Sequence, residues 1–312
     1  MAVEATMKRS VGWTVTASGR ARVPTVASRT LRARLAAVWS ELRASCRSRH
    51  TPERVHQVRV ASRRALAAFK AFHDVVPRKH GRWFCKWLRR IRRAAGETRD
   101  LDVLLARWVN ETASPADGCD ERRILALLRR RRDGSRHPLR RVRERLERDG
   151  WSQRVERLLA RTAAADNAAV FRAYARQGLK PWVRRFFTRA DRPLEDADEL
   201  HRLRIEGKKL RYALEIFAIG FSRRTRSVCL RALEEIQASL GEFMDHAAAA
   251  DRLRRWARET GVGPDRKTLV ELCKREETLA DEAREAFAAW WTPSRRRMLR
   301  RCFSHTMRGK PR

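Results

Sequence analysis

Acidic residues are scarce in this chain: 37 Asp and Glu stand against 73 Lys and Arg among 312 residues, a formal charge of +36 at pH 7. An excess of that size costs a compact body stability by self-repulsion, and it points to an anionic partner. Lysine is scarce too, since ten of the cations are lysine and the rest arginine. A GC-rich genome tends to produce an Arg-rich chain of this kind, but codon bias by itself does not remove half of the balancing acids. Gly and Pro, at 14 and 10 residues, fall below their usual share, and β-branched alternation is confined to residues 13–17. Sheet architectures are thereby set aside, and an all-α fold is expected. With 43% apolar residues the chain can bury a core, which excludes wholesale disorder.

No apolar run approaches roughly 18 residues, and the N-terminus lacks the apolar stretch of a secretory signal. A soluble, cytoplasmic protein without a membrane partner is expected. The six cysteines (Cys46, Cys85, Cys119, Cys229, Cys273, Cys302) include no CxxC or CxxxC pair. That spacing offers neither a zinc cluster nor a disulfide framework, so reduced thiols, no metal site and no cofactor are expected.

Helical patterns run over about 27–49, 52–75, 78–110, 119–133, 137–162, 166–190, 196–219, 222–260, 265–291 and 294–306, separated by Pro, Gly and Asp punctuation. Residues 1–26 are polar and aperiodic and read as a flexible arm. Compared with itself at an offset of 145, the chain lays VHQVRVASRRALAAFKAF (55–72) over LHRLRIEGKKLRYALEIF (200–217). His56, Arg59, Ala68 and Phe72 match His201, Arg204, Ala213 and Phe217, and Arg63 and Arg64 fall on Lys208 and Lys209. Without a gap, Leu88, Ile91, Gly96, Glu97 and Asp100 then match Leu233, Ile236, Gly241, Glu242 and Asp245. A tandem duplication is expected, with units over 27–163 and 164–307.

On a helix with 3.6 residues per turn, His56, Arg59, Arg63 and Lys70 share one face, opposite an apolar stripe of Val58, Ala61, Ala65, Phe69 and Phe72. The second copy sets His201, Arg204, Lys208 and Arg211 against Leu203, Leu210, Leu214 and Phe217. On the next helix Arg82, Lys86, Arg89 and Arg93 share a face, whereas its second copy carries Glu234 and Glu235 in place of Arg89 and Arg90. Ordinary solvated helices alternate charge sign to gain pairs one turn apart. The His56 and His201 stripes contain no acid, and like charges at that spacing repel, so a linear polyanion suits them. A phosphate beside such a histidine raises its pKa and favours the imidazolium.

The motifs HQVRVASRR, GETRDLDVLL, LHRLRIEGKKLRY and LGEFMD resemble the conserved histidine α-helical domain, CHAD, with a register running from about 45 to 260. The resemblance implies two four-helix bundles related by a pseudo-twofold, together forming one domain over 27–307, with basic helices lining a central channel or groove. It implies inorganic polyphosphate as the partner and association with polyphosphate granules, without catalysis. Carried over position by position, the anion-binding residues are His56, Arg59, Arg63 and Arg64 in the first copy. In the second they are His201, Arg204, Lys208, Lys209, Arg211 and Tyr212. Leu66 and Met244 replace residues that are usually basic or polar in the family. The second copy's stripe is therefore expected to contribute more, with Arg82, Lys86, Arg89 and Arg93 compensating in the first.

Two alternatives stand beside this reading. A nucleic-acid or nucleoid-associated protein would use the same charge and ten tryptophans, with non-specific nucleic acid as partner. Most tryptophans (Trp39, Trp83, Trp87, Trp108, Trp290, Trp291) stand at core-like positions, however, and no helix-turn-helix, zinc-finger or RNA-binding signature is found. An enzyme would need Glu97, Asp100, Asp102, Glu242 or Asp245 as metal ligands or acid and base. Those acids stand among arginines that would pair with them, and His56 lacks an HxxxH or HxxE companion.

Overall fold

The computed structural model describes residues 18–47, 51–111, 119–192, 194, 196–260 and 264–308. They form α1 (Val23–Ser45), α2 (Pro52–Ala71), α3 (Arg78–Ala94), α4 (Gly96–Glu111), α5 (Cys119–Gly134), α6 (His137–Arg148) and α7 (Trp151–Ala163). There follow α8 (Phe171–Ala190), α9 (Ala197–Ile216), a 3-10 turn (Ala218–Gly220), α10 (Arg223–Glu259), α11 (Pro264–Trp290) and α12 (Pro293–Arg308). The fold is all-helical; among the described residues, β pairing is limited to one isolated bridge between Arg22 and Val170. No described helix is long and apolar enough to cross a membrane.

Two expected helices are each broken in two. The helix over 78–110 stops at Ala95 (φ −89°, ψ 2°) before α4 begins. The helix over 137–162 stops at Asp149 and restarts after Gly150, whose φ of 71° is the left-handed conformation that glycine adopts without a Cβ clash. The Asp-Gly pair is a turn signal that the surrounding helical pattern obscured. The first helix starts at Val23 rather than 27, with Pro24 in its first turn, where a missing N–H costs nothing. Val23 and Val26 are buried, and the Val23 N–H donates to the Ala169 carbonyl at 3.1 Å. Phe171 and Arg172 donate back to the carbonyls of Ala21 and Gly19, both at 2.9 Å. Residues 18–26 are thus held by the segment joining the two copies, while the alternation at 13–17 lies outside the described residues.

Element boundaries repeat at the offset found in the sequence. Helices α2 and α9 start and end 145 positions apart, as do the starts of α3 and α10, the starts of α5 and α11, and the ends of α7 and α12. The second copy is the less interrupted, since α10 runs unbroken for 37 residues over the stretch equivalent to α3 and α4. Contacts between copies join equivalent elements: α1 packs on α8, α2 on α9, α4 on α10 and α5 on α11.

The main core joins the faces expected from the apolar stripes. Val58, Ala61, Ala65 and Phe72 of the first copy share one cluster with Leu203, Leu210, Leu214 and Phe217 of the second. Phe72 and Phe217, equivalent by the offset, meet edge to face with centroids 6.4 Å apart. A smaller cluster is built from both copies: Leu101 and Leu104 of α4 and Leu128 of α5 pack with Leu253 of α10 and Leu269 of α11. Trp39 stacks on Trp151 at 5.5 Å, and Trp83, Trp87, Trp290 and Trp291 pack against the main core, as their positions suggested. The Trp108 side chain lies outside the described residues.

Candidate anion-binding site

Two helices position the histidine motifs. Helix α2 opens on Pro52 and buries Val55, Val58, Ala61 and Ala65. Helix α9 opens on an Asp196 cap, whose carboxylate accepts from the Glu199 N–H at 2.6 Å, and buries Leu200, Leu203, Leu210 and Leu214. Because α2 packs on α9, the two basic stripes become neighbours. Arg63 is the meeting point: its charge acts on His56, Arg59 and Arg92 on one side and on Arg204 and Lys208 on the other.

The glycine and aspartate of the GExxD segments have defined places in this cluster. A Cβ on Gly96 would lie 3.4 Å from Nη1 of Arg59, and one on Gly241 would lie 3.7 Å from Nη2 of Arg204. In both copies the glycine thus packs beside the arginine of the HxxR motif, at a distance where a Cβ would make ordinary contact. The aspartate four residues later faces that same arginine. Arg204 Nη2 is 3.8 Å from Asp245 Oδ1, and Asp100 acts electrostatically on Arg59 while pairing with Arg252 at 2.9 Å. Both acids thus orient basic side chains, as their surroundings in the sequence implied. Arg59 Nη1 also donates to the Arg92 carbonyl at 3.1 Å, in the last turn of α3, where carbonyls lack helical partners.

Crowded cations shift one another. Burial first, then Arg99, Arg63 and Arg59, bring the His56 pKa down to about 4. Burial, Arg204 and Lys208 lower His201 as well. The imidazolium expected beside a phosphate is therefore disfavoured in the free protein, because burial and the surrounding cations outweigh Glu53 at His56 and Asp198 at His201. Burial and the charges of Arg204, Arg63 and Arg211 hold the Lys208 ammonium at about 7. The buried Nε atoms of Arg59, Arg92 and Arg204 have no hydrogen-bond partner among the described residues, a feature shared with Arg136 and Arg176 elsewhere, while Arg211 Nε lies 3.8 Å from Glu215 Oε1. A desolvated guanidinium N–H without an acceptor is costly, and an anion at the seam would supply one.

A family model for the CHAD domain matches residues 15–254. The chain belongs to the CHAD-domain family. No curated protein matches it in sequence. It is similar in fold to the CHAD domain from the plant Ricinus communis, at 23% identity and a TM-score of 0.68, covering 93% of this chain and 94% of that one. It is also similar to PptA from Streptomyces chartreusis, at 19% identity and a TM-score of 0.57, covering 87% of this chain and 99% of that one.

Within this CHAD domain, not every residue expected at the site joins the cluster. Arg64 turns away from it: Nε and Nη2 bind the Glu215 carboxylate at 2.9 and 3.1 Å, and the side chain is only 10% exposed. Glu215 also faces the fully buried Arg34 of α1 and, at 3.8 Å, Arg211. Arg64 is thus part of an ionic knot joining α1, α2 and α9. Tyr212 is buried, with Arg64 and Arg211 over its ring at 5.9 and 5.4 Å, so it backs the cluster rather than facing solvent. Lys209 pairs with Glu206 at 2.5 Å. Lys70 lies over the Trp182 ring at 4.3 Å, its ammonium pKa lowered by burial and by Arg185 and Lys209. These two lysines stand together at one flank.

The face on α3 also separates from the seam. Arg82, Lys86, Arg89 and Arg93 are exposed, and Arg82 and Arg89 line a different cavity of about 420 Å³ with Phe69, His73, Val76 and Cys85. Two cations missed in the sequence take their place: Arg92, next to Arg63, and Arg99, next to His56. Arg99 had a signal, since it precedes Asp100 in GETRD at the position equivalent to Met244. Arg92 had none, because the stripe drawn through Arg89 and Arg93 put it at the edge. Acids stand beside both rows. Arg204 and Arg211 face Asp245, Glu215 and Glu234, Asp100 acts on Arg59 and Glu53 on His56, and Arg63 makes no ion pair among the described residues. Among the described residues no group of His, Cys, Asp and Glu could hold a metal ion. Instead, Asp102 binds Arg132 at 2.8 Å and His246 binds Glu276 at 2.6 Å.

Proposed function

We propose that this CHAD domain binds inorganic polyphosphate without catalysis, in a groove along the α2–α9 seam, with the two copies related by a pseudo-twofold as two four-helix bundles. The observation that carries the reading is the meeting of cations from both copies around Arg63, with His56, Arg59 and Arg92 on one side and Arg204 and Lys208 on the other. Arginine offers paired N–H groups to phosphate oxygens, and Lys208 adds a compact charge once protonated. Equivalent helices meeting across one seam suit a thin, linear ligand that touches both copies alike. Released counterions would supply much of the affinity, which would therefore fall steeply with salt.

The test is a salt-matched competition between long-chain polyphosphate and duplex DNA. Polyphosphate should win, and an Arg59→Gln, Arg63→Gln, Arg204→Gln variant that keeps its helical content should lose that binding. A preference for DNA, or full binding by the variant, would overturn the reading. Binding of this kind would place the protein at polyphosphate granules in the cytoplasm. Tagged protein imaged in cells with and without polyphosphate should be punctate only in the former.

A further inference from the structure

We propose that the cavity of about 420 Å³ at the elbow of α2 and α3 is a second binding site, one for a nucleoside phosphate, with the base on its apolar wall and the phosphates on its arginine rim. The site is built in the first copy and filled in the second. It does not depend on the seam binding polyphosphate.

The wall is apolar. Phe69, in the last turn of α2, stacks on Phe84 with centroids 5.8 Å apart, and Val76 and the half-buried Cys85 extend the lining, which contains no acid. A Cβ on Gly81 would stand 3.0 Å from Val76 Cγ1 and 3.8 Å from Phe69 Cδ1, so a side chain at that position would enter between the two walls. The rim is cationic. Arg78, Arg82 and Arg89 are spaced four and seven residues apart on one face of α3 and are exposed. They make no ion pair and no side-chain hydrogen bond among the described residues. His73 adds a fourth polar group. Small-molecule pockets of about 300–1,000 Å³ have this character, mostly apolar with a few charged groups that orient the ligand.

The second copy displays what closes such a cavity. By the offset, Gly81, His73, Val76 and Cys85 correspond to Arg226, Ala218, Phe221 and Leu230. Arg226 Nη1 donates to the Ala218 carbonyl at 3.4 Å, so its side chain lies across the place that is open in the first copy, and Phe221 and Leu230 pack against the main core. The rim is lost too, since Ser227 and Glu234 stand for Arg82 and Arg89. The first copy thus combines a missing side chain in the wall with an uncompensated row of arginines. Those two halves select the ligand. A bare polyanion gains nothing from an apolar wall, and a neutral ring leaves the guanidinium groups without an anion. Three arginines along roughly 16 Å of helix suit a chain of phosphates better than a single carboxylate, and guanidinium planes also stack on aromatic rings.

The experiment measures binding of radiolabelled ADP to the full chain by equilibrium dialysis, and alkylation of Cys85 by N-methylmaleimide with peptide mass spectrometry as the readout. ADP binding should survive in the seam variant Arg59→Gln, Arg63→Gln, Arg204→Gln and be lost in Arg82→Gln, Arg89→Gln. ADP at ten times its dissociation constant should slow alkylation of Cys85 roughly tenfold and leave Cys46, at the end of α1, unchanged. Adenosine or tripolyphosphate at that concentration should slow Cys85 less than about twofold, because each satisfies half of the site. No ADP binding, or binding lost in the seam variant and kept in the cavity variant, would overturn the proposal. Equal protection of Cys85 by tripolyphosphate would overturn it as well, making the cavity part of a general polyanion surface. If ADP binds at the cavity while neither variant binds polyphosphate less well than the parent, the seam reading fails and this one stands.

Discussion

On α2, Arg63 stands amid other cations, its Nε donating to the Arg59 carbonyl at 3.3 Å, while Arg59 and the neighbouring Arg92 each keep an Nε without an acceptor. On α9 the equivalent row is partly neutralised, with Asp245 at 3.8 Å from Arg204 and Glu215 and Glu234 at 3.8 and 4.0 Å from Arg211. The same motif therefore stands in two settings, with more acids in ion-pair range on α9 than on α2. An anion at α9 would share cations with three carboxylates in ion-pair range, whereas at α2 Asp100 and Glu53 act on Arg59 and His56 and leave Arg63 without an ion pair. The two copies share helix boundaries and the HxxR arginine and differ in the residues around them.

The largest effect expected is on stability. Glu215→Gln leaves Arg64 and Arg34 buried beside a neutral amide, and breaking a mostly buried pair costs about 3–5 kcal/mol. Chemical denaturation should show that loss. Polyphosphate affinity of the folded fraction should change little, because Arg64 does not face the seam.

Next in size, Arg59→Gln, Arg63→Gln, Arg92→Gln should weaken polyphosphate binding on the order of 100-fold at fixed salt, at roughly 1 kcal/mol or more per charged contact. Arg204→Gln, Lys208→Gln, Arg211→Gln should weaken it by roughly tenfold in the same titration. Equal or inverted losses would break the comparison between the two sides.

Smaller again is the pH dependence. The ligand raises the Lys208 and His56 pKa values above their free-state positions near 7 and 4, so the complex holds more protons than its parts over the pH range between free and bound values. Affinity should therefore strengthen as pH falls from 9 towards 7, and again below neutrality until His56 is protonated in the free protein as well. Calorimetry in buffers of different ionisation enthalpy should show proton uptake on binding.

The smallest contrast lies in the glycines. Gly96→Ala presses on Arg59 at 3.4 Å and should cost a few-fold in affinity. Gly241→Ala, inside α10 and 3.7 Å from Arg204, should leave affinity intact and stabilise the helix by about 0.5–1 kcal/mol.

Much of this was legible in the sequence. The 145-residue offset foretold which helices are equivalent, and the apolar stripes foretold the buried faces of α2 and α9. What escaped was whatever depends on a partner distant in sequence. Arg63 and Arg64 are adjacent letters with opposite duties, and only the packing of α9 brings Glu215 to one and not the other. The break at Ala95 escaped for a related reason: a helical period continues through it, and the turn there is decided by tertiary packing. Arg92 was lost with it, since a stripe drawn on one straight helix misjudges which side chain reaches the seam.

The Arg64–Glu215 bond has one further consequence. By the offset, the equivalents of Arg64 and Glu215 are Lys209 and Lys70, two cations that act on each other at the far flank of the same seam. A symmetric pair of identical subunits could not attract at one end of its contact and repel at the other. Two non-identical copies in one chain allow it, and the contact has a direction: an ion pair closes one end, and at the other two cations stand together, Lys209 bonded to Glu206 and Lys70 over the Trp182 ring.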